Sequence, residues 1–387
     1  MKKLGLYIHI PFCIQKCRYC DFYSVPTNAG VPDEYLEALY KHMDEYGLQT
    51  QEYCVDTVFL GGGTPSLLTE KQMASLFKKI YRDFNVAKKA EITVEANPGT
   101  IDKNKLRAYL KAGINRLSLG VQSFCGGDLG VCGRIHGVNE NIEAFRIARD
   151  AGFSNISMDI MFGLPDQTMA DIVSTLNTVF KLSPEHISFY GLKIEEGTPF
   201  HDMRDSLSLP NEDSESEMYF VSRELMQQNG YFQYEISNFA KKNKFCRHNV
   251  KYWNGDEYLG VGPAAHSYFS GKRFSFKRDL GLYIDSFSEN GAQEGIIDEM
   301  IDIPPSARVA EYVMLRMRLS DGIDCEKFHK LFGRDFDSLY YEKIRPYISS
   351  GHILRTEKGY AFSPDGMYVS NYILSRIIDF DMTIPGA

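Results

Sequence analysis

Six short apolar runs, each followed by a stretch of helical spacing, constrain this chain more than any other feature. The runs are Leu4–Ile10, Val55–Leu60, Glu91–Ala96, Arg116–Val121, Ile156–Met161 and Ile187–Leu192. Between them lie Asp33–Gly47, Glu70–Phe84, Lys103–Ala112, Glu140–Ala151 and Ala170–Leu182. The first of these carries Tyr35, Leu36, Leu39, Tyr40 and Met43, a stripe on one helix face. Strands alternating with helices predict βαβ units and a parallel sheet. Six such strands build either a doubly wound sheet or part of a (β/α) barrel. Both architectures put functional residues beyond the C-terminal strand ends.

Polar or Gly-rich punctuation falls at that end of strand after strand. Gly61-Gly-Gly-Thr-Pro65 follows the second run, and Glu95-Ala-Asn-Pro-Gly99 closes the third. Gly120-Val-Gln-Ser123, Gly163-Leu-Pro165 and Tyr190-Gly-Leu-Lys193 follow the next three. One edge of the sheet therefore reads as a site.

Directly after the first strand comes the triplet Cys13, Cys17 and Cys20, spaced C-x3-C-x2-C. Three thiolates this close can hold a metal or an iron–sulfur cluster. Structural zinc takes four closed ligands, whereas a four-iron cluster on three cysteines keeps one iron open. Free cysteines are often buried as small hydrophobes, but Lys16, Arg18 and Asp21 interleave with these. Nearby cations also favour the thiolate.

The C-x3-C-x2-C spacing resembles the radical S-adenosylmethionine (SAM) superfamily. The resemblance implies a [4Fe–4S] cluster on Cys13, Cys17 and Cys20, with SAM chelating the open iron. A GGG turn alone is only a tight turn; behind this cysteine motif it is similar to the superfamily's GGG[T/S]P loop. That likeness implies SAM contacts at Gly62, Gly63 and Thr64. Glu95, Gln122, Arg134 and Asp159 resemble its other polar SAM contacts, with Tyr7 and Tyr19 flanking the cluster. An Arg suits a carboxylate through its two-pronged fork.

Tyr7-Ile-His-Ile-Pro-Phe-Cys13, GGGTPSLL, EANPGT, GVQSF, GRIHG and GLPDQ together resemble the oxygen-independent coproporphyrinogen III oxidase group. Within it, the oxidases carry an N-terminal arm and a fourth cysteine, CxxxCxxCxC. Here the first strand starts at Leu4, and Cys20 is followed by Asp21-Phe22. The stretch Cys246-Arg-His248-Asn249-Val-Lys-Tyr252-Trp253 resembles the HNxxYW signature of the HemW-like heme chaperones. The favoured function is therefore heme binding and transfer, with the cluster and SAM as cofactors. The alternatives are a coproporphyrinogen III dehydrogenase and, third, a radical SAM heme methyltransferase.

Candidate heme contacts are His248, Tyr252, Trp253 and His266, with Cys246 a candidate second axial ligand. A histidine that can ligate iron beside stacking aromatics fits a flat macrocycle, although most loop histidines are simply hydrogen-bonded. Gly260-Val-Gly-Pro-Ala-Ala-His266 resembles the chaperones' Gly-rich segment, with Ala264-Ala265 where Gly-Ala is usual. His9 is expected to be buried and hydrogen-bonded, and His136 to lie near the site.

The expected fold is an α/β partial (β/α)6 radical SAM barrel with a small C-terminal α+β, winged-helix-like domain. We divide the chain into the core 1–240, an irregular aromatic-rich segment 241–300 and a C-terminal domain 301–387. In the last, helices Arg308–Leu319, Cys325–Phe332 and Ser338–Ser349 precede a hairpin over Ile353–Phe362 and a helix over Met367–Phe380.

The balance of 43 basic against 51 acidic residues, net −8, excludes a general nucleic-acid binder. No apolar run reaches the roughly 20 residues that span a bilayer. Met1-Lys2-Lys3 imitates a signal peptide, but the following run meets Pro11 with no cleavage site, so a cytoplasmic chain is expected. Besides the triplet, Cys54, Cys125, Cys132, Cys246 and Cys325 are odd in number and scattered, which suits a reducing compartment. The resemblance further implies a heme-acceptor protein, an electron donor and a homodimer. Membrane cytochromes are among such acceptors, so peripheral membrane contact falls within that expectation.

Overall fold

The computed structural model describes residues 1–288 and 295–380. Residues 289–294 and 381–387, parts of the expected second and third segments, lie outside the described residues. The six expected strands form as β1 (Lys2–Ile10), β2 (Tyr53–Gly62), β3 (Val86–Ala96), β4 (Arg116–Gln122), β5 (Ile156–Phe162) and β6 (His186–Gly191). They lie side by side in chain order, and each adjacent pair is parallel. A doubly wound sheet reverses its order at a switch point; these six do not, so the sheet winds one way, as a partial barrel.

The connecting helices are α1 (Asp33–Gln49), α2 (Glu70–Asp83), α3 (Lys103–Ala112), α4 (Val138–Ala151) and α5 (Met169–Leu182). Local chemistry fixes their ends. Thr69 with Gln72 and Thr168 with Asp171 form reciprocal capping boxes, and Asp102 caps α3. Gly113 and Gly152 close α3 and α4 in the left-handed conformation.

The strands' two faces differ. Leu117, Leu119, Val121, Met158, Ile160 and Ile187 are fully buried in the main core, each contributing about 1.5–3 kcal/mol on burial. Their alternate neighbours Ser118, Asp159, Met161, Ser188 and Tyr190 line the interior. The period-two alternation thus separates a dry outer layer from a polar hollow.

The sheet continues on both sides of these six strands, through residues 212–240 and through the described part of the segment 241–300. Strands β7 (Phe232–Glu235) and β8 (Asn238–Ala240) extend the sheet antiparallel beyond β6. Helix α6 (Glu212–Gln228) precedes them, and α7 (Arg247–Asn254) follows. On the other side β9 (Tyr258–Val261) pairs parallel with β1. Then β10 (His266–Phe269), β11 (Lys272–Phe276) and β12 (Ile297–Asp302) add antiparallel strands, making twelve in one sheet. These strands are mostly four to six residues long, too short for a period of two to stand out among so many aromatics.

The C-terminal residues have their own core, gathering Val309, Phe328, Tyr340, Ile353 and Ile377. It combines helices with an antiparallel sheet of Ile323–Asp324, Gly359–Phe362 and Ile353–Arg355. The first of these strands escaped the sequence analysis. A bridge between Glu235 and Leu319 ties this core to the edge strand β7, covering an edge otherwise open to pairing. No helix among the described residues is long and apolar enough to cross a membrane.

Candidate functional site: the cysteine loop and the barrel interior

The loop after β1 is held from three sides. Phe12–Cys13 pairs with Val25–Pro26. Arg18 donates its backbone N–H to the Cys132 carbonyl at 3.0 Å and accepts from the Phe200 N–H at 3.0 Å. Beneath it, Gly63 donates to the Ile10 carbonyl at 2.9 Å and Thr64 to the Phe12 carbonyl at 2.7 Å. A Cβ on Gly63 would sit 2.6 Å from the Phe12 carbonyl oxygen, and one on Gly62, at φ +108°, would meet the His9 ring at 2.5 Å. The glycines are there because backbone passes too close for any side chain.

The three thiols share one cavity of about 130 Å³. Donors point at two sulfurs: Thr64 Oγ1 lies 3.4 Å from Cys13 Sγ, and Arg134 Nη1 3.2 Å from Cys17 Sγ. Burial and the neighbouring Cys17 and Cys13 push the Cys20 thiol up to about 11. A multiply charged metal group bound here would favour thiolate ligands. The donor set therefore fits a three-cysteine cluster.

Of the nine residues expected around SAM, eight line this cavity: Tyr19, Gly62, Gly63, Thr64, Glu95, Gln122, Arg134 and Asp159. Tyr7 stands behind it, its hydroxyl 3.0 Å from His9 Nδ1 and its ring stacked on Phe59. Asn97, Ser118 and Tyr190 also line it and were not anticipated. Asn97 accepts from Arg134 Nη2 at 3.0 Å and donates to Thr64 Oγ1 at 2.9 Å, fixing both. Its place in EANPGT, two residues beyond Glu95, was the available signal.

Burial, then the Asp159 charge, raises the Glu95 carboxyl to about 8, against the pull of the Gly62 N–H and Arg116. Burial likewise raises Asp159. The carboxyl oxygens of Glu95 and Asp159 can accept from an ammonium or hydroxyl group, while Arg134 suits a carboxylate.

A second cavity of about 400 Å³ opens from the first. The two share Tyr19, Cys20, Phe22, Glu95, Ser118, Asp159 and Tyr190. Phe22, Phe59 and Met161 give it apolar walls; Arg116, Ser188, Asn238 and Asn249 give it a polar floor. Its size and mixed lining suit an organic ligand.

The HNxxYW stretch begins α7. Glu91 caps that helix, accepting from the Arg247 and His248 N–H groups at 3.1 Å each. The candidate heme residues there do not form an open iron site. His248 is 1% exposed. Its Nδ1 lies 2.9 Å from Thr57 Oγ1 and its Nε2 2.8 Å from the Tyr252 hydroxyl. Burial, with Lys251 and Arg116 nearby, lowers its pKa to about 3. The ring is thus neutral, with both nitrogens engaged inside the protein. Phe59, stacked 5.3 Å from it, lines the cavity instead.

Trp253 lies under the Arg318 guanidinium, 5.7 Å from its charge centre. Cys246 is fully buried, 3.8 Å from Glu91. His266 is exposed at the start of β10, near Arg278. From the HNxxYW stretch it is Asn249 that reaches the cavity. His9 is buried, its Nε2 donating to the Tyr23 carbonyl at 2.9 Å, as expected. His136 lies in a small recess with Cys17 and Arg134.

Residues 7–179 match the model of the radical SAM superfamily, and residues 303–369 that of the HemN C-terminal domain. The heme chaperone HemW of Bacillus subtilis is 35% identical over 375 residues, covering 96% of this chain and 98% of that protein. The heme chaperone HemW of Escherichia coli K12 is 34% identical over 380 residues, covering 97% and 98%. The solved structure of coproporphyrinogen III oxidase (HemN) from Escherichia coli superposes with a TM-score of 0.86 at 23% identity. It covers 98% of this chain and 91% of that one, a likeness of fold.

Proposed function

The chain belongs to the HemW heme chaperone family of radical SAM proteins, and on that premise we propose that it binds heme in the barrel cavity and hands it to an acceptor protein. The observation that carries this reading is the continuity of the two cavities, which share seven residues across Tyr19, Glu95 and Asp159. Phe22 and Phe59 offer faces to a macrocycle, while Arg116, Asn238 and Asn249 offer donors at its edge.

Cys13, Cys17 and Cys20 would hold the [4Fe–4S] cluster, and Glu95, Gln122, Arg134 and Asp159 would surround SAM. When bound, the cluster supplies a one-electron donor with one iron open to SAM. The protein's own part is positional. Arg134 ties Cys17 to Asn97 and the Gly120 carbonyl, so sulfur and cofactor wall move as one unit. Tyr190 donates to Gln122 Oε1 at 2.7 Å and fixes the wall between the cavities.

His248 serves by backing Phe59 rather than by ligating iron. The acceptor, the electron donor and a second copy in a homodimer are further proposals. A reducing, cytoplasmic setting is supported by eight free cysteines.

The test is a heme titration of the anaerobically reconstituted protein. Trp253, the chain's single tryptophan, sits one helical turn from Asn249, about 6 Å along α7. Saturable quenching of its fluorescence with a Soret band is expected. SAM-dependent conversion of coproporphyrinogen III to protoporphyrinogen IX would overturn the chaperone reading.

A further inference from the structure

The first residue of β4, Arg116, is the largest fully buried side chain of the described residues, 2% exposed. Its Nε is sealed from solvent and has no hydrogen-bond partner. No hydrogen bond or ion pair joins its guanidinium to any described residue. Yet Arg116 lines the 400 Å³ cavity.

The acids around it are engaged elsewhere. Both Glu91 oxygens accept the N–H groups that begin α7. Asp159 Oδ1 accepts from Ser118 at 3.2 Å, and Glu95 Oε2 from the Gly62 N–H at 3.3 Å. Their fields steady the cation at a distance, but none takes the planar fork. Burying an ion without hydrogen-bond partners is costly. A guanidinium with unfilled donors facing a cavity is therefore a site shaped for a planar anion, and a carboxylate fills it with two parallel bonds.

We propose that Arg116 anchors a carboxylate of the ligand in the barrel cavity, a propionate of heme. This rests on the heme reading above. Arg116 lies two residues before Ser118 on β4, roughly 6–7 Å further from the cysteine end of the barrel. Anchoring there puts the propionate edge deep and turns the opposite edge of the macrocycle toward Tyr19 and Cys20 at the junction of the cavities. Asn238 and Asn249 line the same cavity.

The experiment compares heme with its dimethyl ester, which keeps the ring and iron but has no carboxylate charge. Both are titrated in the same detergent micelles against wild type, Arg116→Gln and Arg116→Lys, each reconstituted with its cluster. Wild type is expected to prefer heme by about tenfold to a hundredfold, the range of a charge-assisted hydrogen bond. Arg116→Gln is expected to bind both ligands alike, and Arg116→Lys to keep part of the preference. A wild type without preference overturns the carboxylate assignment, whether or not the variants fold. An Arg116→Gln protein that weakens for both ligands equally overturns it too, leaving Arg116 a wall residue. Wild-type protein that binds neither ligand overturns the heme reading itself, and this inference with it.

Discussion

The cysteine loop after β1 and the helix α7 are both announced by short signatures, and they use them in opposite ways. The loop turns its signature side chains outward, so that Cys13, Cys17 and Cys20 face one cavity. The helix turns most of its signature inward: His248 is buried between Thr57 and Tyr252, and Asn249 alone of HNxxYW reaches the cavity. A signature fixes which residue types stand together. Which way they face is decided by partners remote in sequence, here Thr57 and Glu91 on strands far from α7.

That contrast makes the two regions fail differently. Cys17→Ala has the largest expected effect. It removes one of three cluster ligands and the sulfur that Arg134 holds, and the brown four-iron chromophore of the reconstituted protein should be lost. An intact chromophore would break the assignment.

His248→Ala should leave that chromophore in place and instead lower stability by about 2–4 kcal/mol, because it empties a buried site and strands Thr57 Oγ1 and the Tyr252 hydroxyl. Thermal melting checks this. The pH dependence follows from the same burial. His248 falls from 6.5 to about 3, as does His42, and His9 falls to about 4. A folded state that resists protonation is outcompeted by an unfolded state that accepts it. The stability is present above about pH 6.5 and is lost as the pH drops toward 4. Removing His248 should flatten that slope by about 1.4 kcal/mol per pH unit. An unchanged slope would mean that the ring is exposed and free to ligate.

The smallest effect is expected at Glu91→Gln. One amide oxygen can still cap α7, but the charge is gone, and a loss of about 1 kcal/mol should appear as a modest fall in melting temperature. A loss of the cluster in this variant would erase the distinction between the two regions.

The barrel itself was legible because its strands carry short apolar runs between helical stretches; β1 to β5 each contain the run anticipated for them, and β6 stops at Gly191, one residue short of its own. The cysteine site was legible because its ligands are close in sequence. The polar hollow was not. Ser118, Asp159 and Ser188 sit at alternate positions on their strands, but alternation cannot say whether the inner face meets another layer or an empty space. Arg116 was hidden for that reason, as the first residue of an apolar run. The sheet extensions from β9 to β12 were missed because their strands are short and separated by tight turns such as Gly262, at φ +112°.

The most direct test of the central claim fills the cavity without touching either signature. Ser188 lines the 400 Å³ cavity from β6, and Ser188→Phe places a ring there. The measurement is heme affinity by Trp253 quenching, on protein shown to retain its cluster chromophore. The account predicts at least a tenfold loss of heme affinity in Ser188→Phe and a much smaller change in His248→Ala. Wild-type affinity in Ser188→Phe, with binding abolished in His248→Ala, would contradict it and move the heme to α7.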